Sequence, residues 1–103
     1  MTENKYQAQL IKRIQRMFPD CFVLKADPGH LQGIPDLLIL WHKHWASLEV
    51  KPSLAHIMQP NQQYYIERLS EMSYAAVICP ENEEEVLSAL QQAFESPRGA
   101  RVS

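Results

Sequence analysis

The middle of the chain holds two strand-like segments separated by only four residues. Residues 37–41 form an unbroken apolar run, which is typical of a central strand covered on both faces. Residues 46–51 alternate instead, with Ser47, Glu49 and Lys51 on one side and apolar residues between them. So short a connection favours an antiparallel hairpin, although the usual Asn-Gly turn signal is absent.

Hydrophobic periodicity and turn residues predict the other elements. They are a helix over about 3–18, a strand over 21–25, a loop over 27–35, a helix from 60 to about 72, a strand over 75–79 and a helix after 82. Thr2 is the expected N-cap of the first helix and Pro19 its stop, while Asn82 is the expected cap of the last. The sequence therefore predicts one α/β domain over residues 1–95, in the order αβββαβα, with a disordered tail over 96–103.

Composition is that of a small intracellular protein. The 103 residues fit one domain, and no apolar run reaches the roughly 20 residues that cross a bilayer. The N-terminus lacks the apolar stretch of a signal peptide. Cys21 and Cys79 match neither a disulfide framework nor a zinc pattern. We therefore expect a soluble, cytoplasmic protein with no membrane partner.

Charge is divided unevenly along the chain. Residues 1–51 hold seven basic and five acidic side chains, whereas residues 52–103 hold three basic and seven acidic ones. A partner that carries phosphates would therefore meet the N-terminal half. The candidate contacts are Lys5, Lys12, Arg13, Arg16, Lys25, His30 and Lys43. An ordinary mixed surface is the alternative interpretation.

Two carboxylates and a lysine are expected to meet at one end of the hairpin. Asp36 follows Pro35 at the start of the first strand, and Glu49 shares one face of the second strand with Lys51. Antiparallel pairing brings these two strand ends together, so that the carboxylates can converge. Carboxylate oxygens suit a hard divalent cation, and a lysine suits the anionic oxygens of a phosphate. Glu3, on the inward stripe of the first helix, is a candidate third carboxylate.

This pattern resembles the PD-(D/E)XK nuclease superfamily, which is built on the same αβββαβ order. It is most similar to the virus-type replication-repair nuclease (VRR-NUC) domain, in which a Gly-x-Pro-Asp loop precedes the Glu-x-Lys strand and a Gln opens the next helix. The matching elements here are Gly33-Ile34-Pro35-Asp36, Glu49-Val50-Lys51 and Gln62. Small phage and archaeal Holliday-junction resolvases are similar in core. The resemblance covers about residues 3–94 and implies a restriction-endonuclease-like core with a mixed central sheet flanked by helices.

The resemblance further implies a Mg²⁺-dependent DNA endonuclease, with Mn²⁺ as a substitute. The implied metal ligands are Asp36, Glu49, the Val50 carbonyl and Glu3. The implied catalytic residues are Asp36, Glu49, Lys51, Glu3 and Gln62. Lys51 would orient the attacking water or neutralise charge on the phosphate, and Gln62 would position Lys51 or a backbone phosphate. Gln63 competes for that last role, but helical phase favours Gln62, which shares a face with other inward residues.

The expected substrate follows from the size of the chain. With no separate sequence-reading domain, recognition should rest on phosphates and on nucleic-acid shape, which favours structure-selective cutting of branched DNA such as a Holliday junction. Cutting two strands symmetrically calls for two sites, so we expect a homodimer that works in DNA repair in a bacterial or phage-infected cytoplasm. Its contacts would include Trp41, Trp45, Tyr64 and Tyr65.

Two alternatives remain open at this point. The chain can be a nuclease-fold module that binds nucleic acid or protein without cutting, or a small α/β interaction protein in which the motif is accidental. A histidine metal site is a weaker reading. His42 and His44 are spaced to share one side of a strand, but they lie at the hairpin tip, far from Asp36, and no third ligand has useful spacing.

Overall fold

Three helices and four strands form in the predicted order. In the computed structural model, which describes residues 1–96, they are α1 (Glu3–Met17), β1 (Phe22–Lys25), β2 (Leu37–Trp41), β3 (His44–Val50), α2 (Pro60–Met72), β4 (Tyr74–Ile78) and α3 (Glu83–Glu95). The predicted αβββαβα class is confirmed. Apart from Ser96, the disordered tail predicted over 96–103 lies outside the described residues.

The four strands form one mixed sheet in the order β1-β2-β3-β4. The first three are antiparallel, and β4 runs parallel to β3 after the α2 crossover. The hairpin is tighter than the sequence indicated, because Trp41 pairs with His44 and leaves two residues in the turn. His42 adopts a φ of 55° there, which a two-residue turn of this kind requires.

The core lies between one face of the sheet and the helices α1 and α3. It is built from Tyr6, Leu10, Ile14, Phe18, Leu37, Ile39, Ala46, Leu48, Val50, Ile78, Val86, Leu87, Leu90 and Phe94. The α1 members repeat every three or four residues and the strand members every two, as amphipathic elements that share a core must. The apolar spacing of Val86, Leu87, Leu90 and Phe94 likewise predicts the face of α3 that is buried here.

The opposite face of the sheet is covered only in part. Helix α2 packs on β3 and β4. On β2 the residues of this face, Leu38 and Leu40, are only half-buried, so the expectation of a strand covered on both faces is wrong. The spacing of Ile66, Leu69 and Met72 predicts that they share the inner face of α2, but Met72 is 49% exposed. An unbroken apolar run gives no periodicity from which the extent of its cover can be read.

The caps agree with the sequence at one helix and differ at another. The Thr2 side chain accepts a hydrogen bond from the Lys5 amide, as predicted. Asn82 occupies the N-cap position of α3 but turns back, accepting from the Cys79 amide and donating to the Val77 carbonyl. Asn82 therefore fastens β4 to α3. Within residues 1–96, no helix has both the length and the apolar character that a membrane crossing needs.

Candidate active site

Strand register brings Asp36 and Glu49 to the same end of the β2–β3 hairpin. Leu37 lies opposite Leu48, so Asp36, one residue before β2, falls beside the end of β3. The Asp36 carboxylate accepts a hydrogen bond of 2.8 Å from the Val50 amide. This cross-strand bond holds Asp36 beside the Glu49-Val50-Lys51 segment.

Glu49, Lys51 and Gln62 form a closed set of polar contacts next to Asp36. The Lys51 ammonium lies 3.3 Å from Glu49 Oε2 and donates to Gln62 Oε1 at 3.2 Å. The Gln62 amide in turn donates to the same Glu49 oxygen at 3.0 Å. Gln62 therefore bridges Glu49 and Lys51: its amide nitrogen contacts Glu49 and its carbonyl oxygen contacts Lys51.

Burial makes the ionised forms of the two carboxylates unfavourable. Glu49 is 3% exposed and the Lys51 side chain 13% exposed. Loss of solvent, followed by the nearby Asp36 charge, raises the pKa of Glu49 to about 7, although Lys51 opposes the shift. Burial also raises the pKa of Asp36, against the effects of the Val50 amide and Lys51. When both are ionised, the two carboxylates carry two negative charges against the single positive charge of Lys51.

The Gln62 side chain is also fixed by a hydrogen bond at the start of its own helix. Its Oε1 also accepts from the backbone amide of Gln59, the N-cap residue of α2, at 3.0 Å. Gln63 points elsewhere and donates to Glu67. Of the two glutamines that the sequence offered, Gln62 is the one that contacts Glu49 and Lys51.

The loop before Asp36 packs against the first turn of α2. Gly33 has a φ of +93°, and a Cβ at this position would lie 2.9 Å from the Asn61 backbone. Asn61 also donates to the Gln32 carbonyl at 3.3 Å. Glycine is therefore needed at Gly33 for both conformation and space, and this packing couples the Asp36 loop to the helix that carries Gln62.

Glu3 lies at the exposed first turn of α1, near enough for its charge to contribute to the raised pKa of Glu49. Across residues 1–96, however, no three His, Cys, Asp or Glu side chains come together at metal-binding distances. The structure therefore gives Glu3 an electrostatic influence on Glu49 without assembling it into a three-residue ligand cluster.

A hard divalent cation fits the two carboxylates. Mg²⁺ is commonly held by one or two carboxylates, with waters and substrate phosphate completing its shell. The mutual repulsion of Asp36 and Glu49, visible in the raised pKa of Glu49, is what a bound cation would relieve. Asp36 and Glu49 are thus suited to be ligands, and the backbone carbonyl of Val50, between Glu49 and Lys51, is a further oxygen donor in the same segment.

The basic residues singled out in the sequence are spread over several surfaces. Lys25 and His30 lie at the site end of the sheet, whereas Lys43 lies in the hairpin turn at the other end. Lys5, Lys12 and Arg16 are exposed on α1. Arg13 forms ion pairs with Glu83 and Glu84, so it joins α1 to α3.

Two residues of this site were missed by sequence reasoning. Gln59 acts through its backbone amide, for which side-chain identity gives no signal. Asn61 acts by packing on Gly33, and the glycine of the Gly-x-Pro-Asp loop was the available indication that something approaches there closely.

Comparisons with protein-family models, curated proteins and solved structures find no match to this chain. Any assignment of function therefore depends on the residues and geometry of the site.

Proposed function

We propose that this protein is a metal-dependent nuclease that hydrolyses phosphodiester bonds in DNA. The observation that carries the proposal is the joining of Glu49, Lys51 and Gln62 in one buried contact set beside Asp36. A buried ion pair with an unbalanced second carboxylate is unfavourable for folding, and strongly perturbed carboxylates are enriched at functional sites.

Each side chain has a distinct task in this mechanism. Asp36, Glu49 and the Val50 carbonyl would hold Mg²⁺ or Mn²⁺, which when bound supplies Lewis-acid polarisation of the phosphate. Lys51 places positive charge where negative charge builds on the phosphate, or orients the attacking water. Gln62 is a positioning residue, since it contacts both Glu49 and Lys51 and is itself held by the Gln59 amide.

The substrate that suits this chain is branched DNA. One small domain offers no second module for reading sequence, so selection falls to phosphate contacts and DNA shape. Lys25 and His30, near the Asp36 end of the sheet, are the candidate contacts with phosphates. A homodimer would supply the two sites that paired incisions across a junction need.

A second candidate is a module of this fold that binds DNA without cutting it. The absence of a three-ligand cluster among residues 1–96 favours this alternative. The two functions differ in one measurable property, which is strand cleavage that depends on a divalent cation.

Nicking of supercoiled plasmid, with and without Mg²⁺, tests the proposal. We expect cleavage with Mg²⁺ or Mn²⁺, binding with little hydrolysis in Ca²⁺, and no cleavage in excess EDTA. A four-way junction should be cut faster than a linear duplex of the same arm sequence. Binding without nicking in every metal would favour the second candidate, and full activity in EDTA would overturn the mechanism.

A further inference from the structure

An apolar groove lies on the partly covered face of the sheet, beside the candidate active site. It encloses about 380 Å³ between α2 and the strands β1 and β2. Its lining includes Leu24, Ile34, Leu38, Trp45 and Leu69. Exposed apolar surface of this kind marks interaction sites, and a domain of this size gains stability by burying apolar area against a partner.

The apolar surface continues from the groove to the edge of the sheet. Phe22 pairs with Leu40, and Leu40 pairs with Trp45, so these three side chains form a row across β1, β2 and β3. Both apolar side chains that β1 directs to this face are exposed, Phe22 by 68% and Leu24 by 47%. Edge strands usually protect themselves with charges or proline, and β1 carries a single lysine at its end.

The outer edge of β1 can accept another strand. The Ala26 amide donates to the Asp36 carbonyl, so by strand alternation the amides of Phe22 and Leu24 also point toward β2. The N–H and C=O groups of Val23 and Lys25 therefore point away from β2, on the side of β1 where no other strand of residues 1–96 pairs. An antiparallel strand with the same spacing of outward groups would pair with them.

We infer that β1 pairs antiparallel with β1 of a second copy of this chain, with the two-fold axis at Val23. The result is a continuous eight-stranded sheet in which the two apolar grooves lie side by side. This inference deepens the homodimer named with the proposed function by assigning its surface, and its test needs no nuclease activity.

This register is favoured by the side chains that it brings together. With Val23 opposite its copy, Phe22 of each chain faces Leu24 of the other, on the groove side of the sheet. Apolar cross-strand pairs of this kind stabilise a sheet. The same register sets Lys25 of each copy opposite Cys21 of the other, one position from Asp20, so that a basic and an acidic residue lie at neighbouring positions at each end of the short ladder.

The arrangement also places the two candidate active sites on one side of the dimer. A two-fold axis perpendicular to the sheet keeps both grooves, and both sets of Asp36, Glu49 and Lys51, on the same face. From a strand spacing of about 4.8 Å and a rise of about 3.4 Å per residue, the two sites lie about 25 to 30 Å apart. Two strands of one branched molecule can then be reached from the same side.

Sedimentation of the whole protein at tens of micromolar tests this interface. We expect a dimer for the parent and, for the Phe22→Lys, Leu24→Lys variant, a dissociation constant at least tenfold higher, because like charges then face each other across the axis. Ile57→Lys is the matched control: Ile57 is 83% exposed and lies in the loop before α2, so its variant should dimerise like the parent. A monomeric parent, or a doubly charged variant that dimerises as well as the parent, would overturn the inference.

Charge exchange tests the register. The Phe22→Glu, Leu24→Lys variant places opposite charges across a Val23-centred axis and should dimerise, whereas an axis at Leu24 would set lysine against lysine and abolish association. Loss of the dimer in this variant, with its circular dichroism unchanged, would contradict the Val23 register.

Amide hydrogen exchange gives a test that requires no substitution. The Val23 and Lys25 amides should be protected at high protein concentration and should lose that protection on dilution. The Phe22 and Leu24 amides, which face β2, should be protected at both concentrations. Protection of Val23 and Lys25 that does not change with concentration would overturn the pairing.

The readouts also separate this interface from other uses of the groove. A parent that stays monomeric but whose Trp45 fluorescence is quenched by an unlabelled oligonucleotide would assign the groove to nucleobases instead. A dimer that does not cut DNA would leave the interface standing and reject the proposed nuclease activity.

Discussion

The two ends of the β2–β3 hairpin have opposite physical character. At the turn end, Trp41 packs 5.1 Å from Phe18 and 6.0 Å from Phe94, measured between ring centroids. The Trp41 indole donates to the Pro19 carbonyl at 3.0 Å, so its one polar atom also has a partner. These ring contacts and this hydrogen bond favour the folded state.

At the other end the same two strands hold Asp36 and Glu49, whose pKa values are both raised by burial. Lys51 and Gln62 reduce this cost but do not remove it. A small domain that tolerates such an arrangement at one end and packs aromatic rings at the other divides its hairpin between a candidate functional site and a stabilising aromatic cluster.

The largest expected effect is at the carboxylates. Asp36→Ala and Glu49→Ala should abolish cutting, by about 1,000-fold or more, because each removes a ligand and half of the negative charge that would attract a cation. Metal-free DNA binding should stay equal or become tighter, since a repulsive charge has gone. Plasmid nicking and fluorescence anisotropy measure the two properties, and variants that cut at the parent rate would place the active site elsewhere.

Lys51 comes next. Lys51→Ala should slow cutting by about 100-fold, as loss of one preorganised charge does, with a much smaller change in DNA affinity. Arg68→Ala removes the same charge from the exposed side of α2, where Arg68 pairs with Glu71, and should cut like the parent. Equal rates for the two variants would contradict the role given to Lys51.

A substitution at the turn end of the hairpin should change the stability of the protein and leave its nicking rate unchanged. Phe94 is buried against both Phe18 and Trp41, so Phe94→Ala should lower the free energy of unfolding by about 3–5 kcal/mol. The nicking rate should be unchanged at a temperature where both proteins are folded. A urea titration measures the free energy of unfolding. Loss of nicking by the folded variant would show that the turn end is also needed for cutting.

The pH dependence of stability should come from the site end. Glu49 has a folded-state pKa of about 7, above its unfolded value, so the folded state binds its proton more tightly. Its contribution is present below the unfolded pKa and is lost as pH rises toward 7, by about 1–3 kcal/mol. Urea titrations in EDTA between pH 4.5 and 7.5 should show this fall, and Glu49→Gln should flatten it. An equally steep profile in Glu49→Gln would assign the proton to another group.

The smallest effect concerns the loop that carries Asp36. Gly33→Ala should slow cutting about tenfold, because a Cβ would meet the Asn61 backbone and move the loop. Gly29→Ala is the matched control, since its Cβ would meet only the Asp27 side-chain oxygen at 3.2 Å. Equal nicking rates in both variants would show that the Gly33 contact does not position Asp36.

Much of the fold was readable because its signals are local. The spacing of apolar residues on α1, the alternation along β3 and the short hairpin connection all act over a few residues, and each predicted the element that the structure contains. The convergence of Asp36 and Glu49 also followed from strand alternation and antiparallel pairing, which are geometric rules.

Other features depend on which elements pack together, and local patterns do not carry that information. The open half of the sheet and the pairing of Arg13 with α3 depend on segments far apart in the chain. Residue identity and spacing specified which groups stand at the end of the hairpin. Their burial under α2 specified how those groups are charged, because desolvation and Coulomb interactions depend on distance in space, not on distance along the chain.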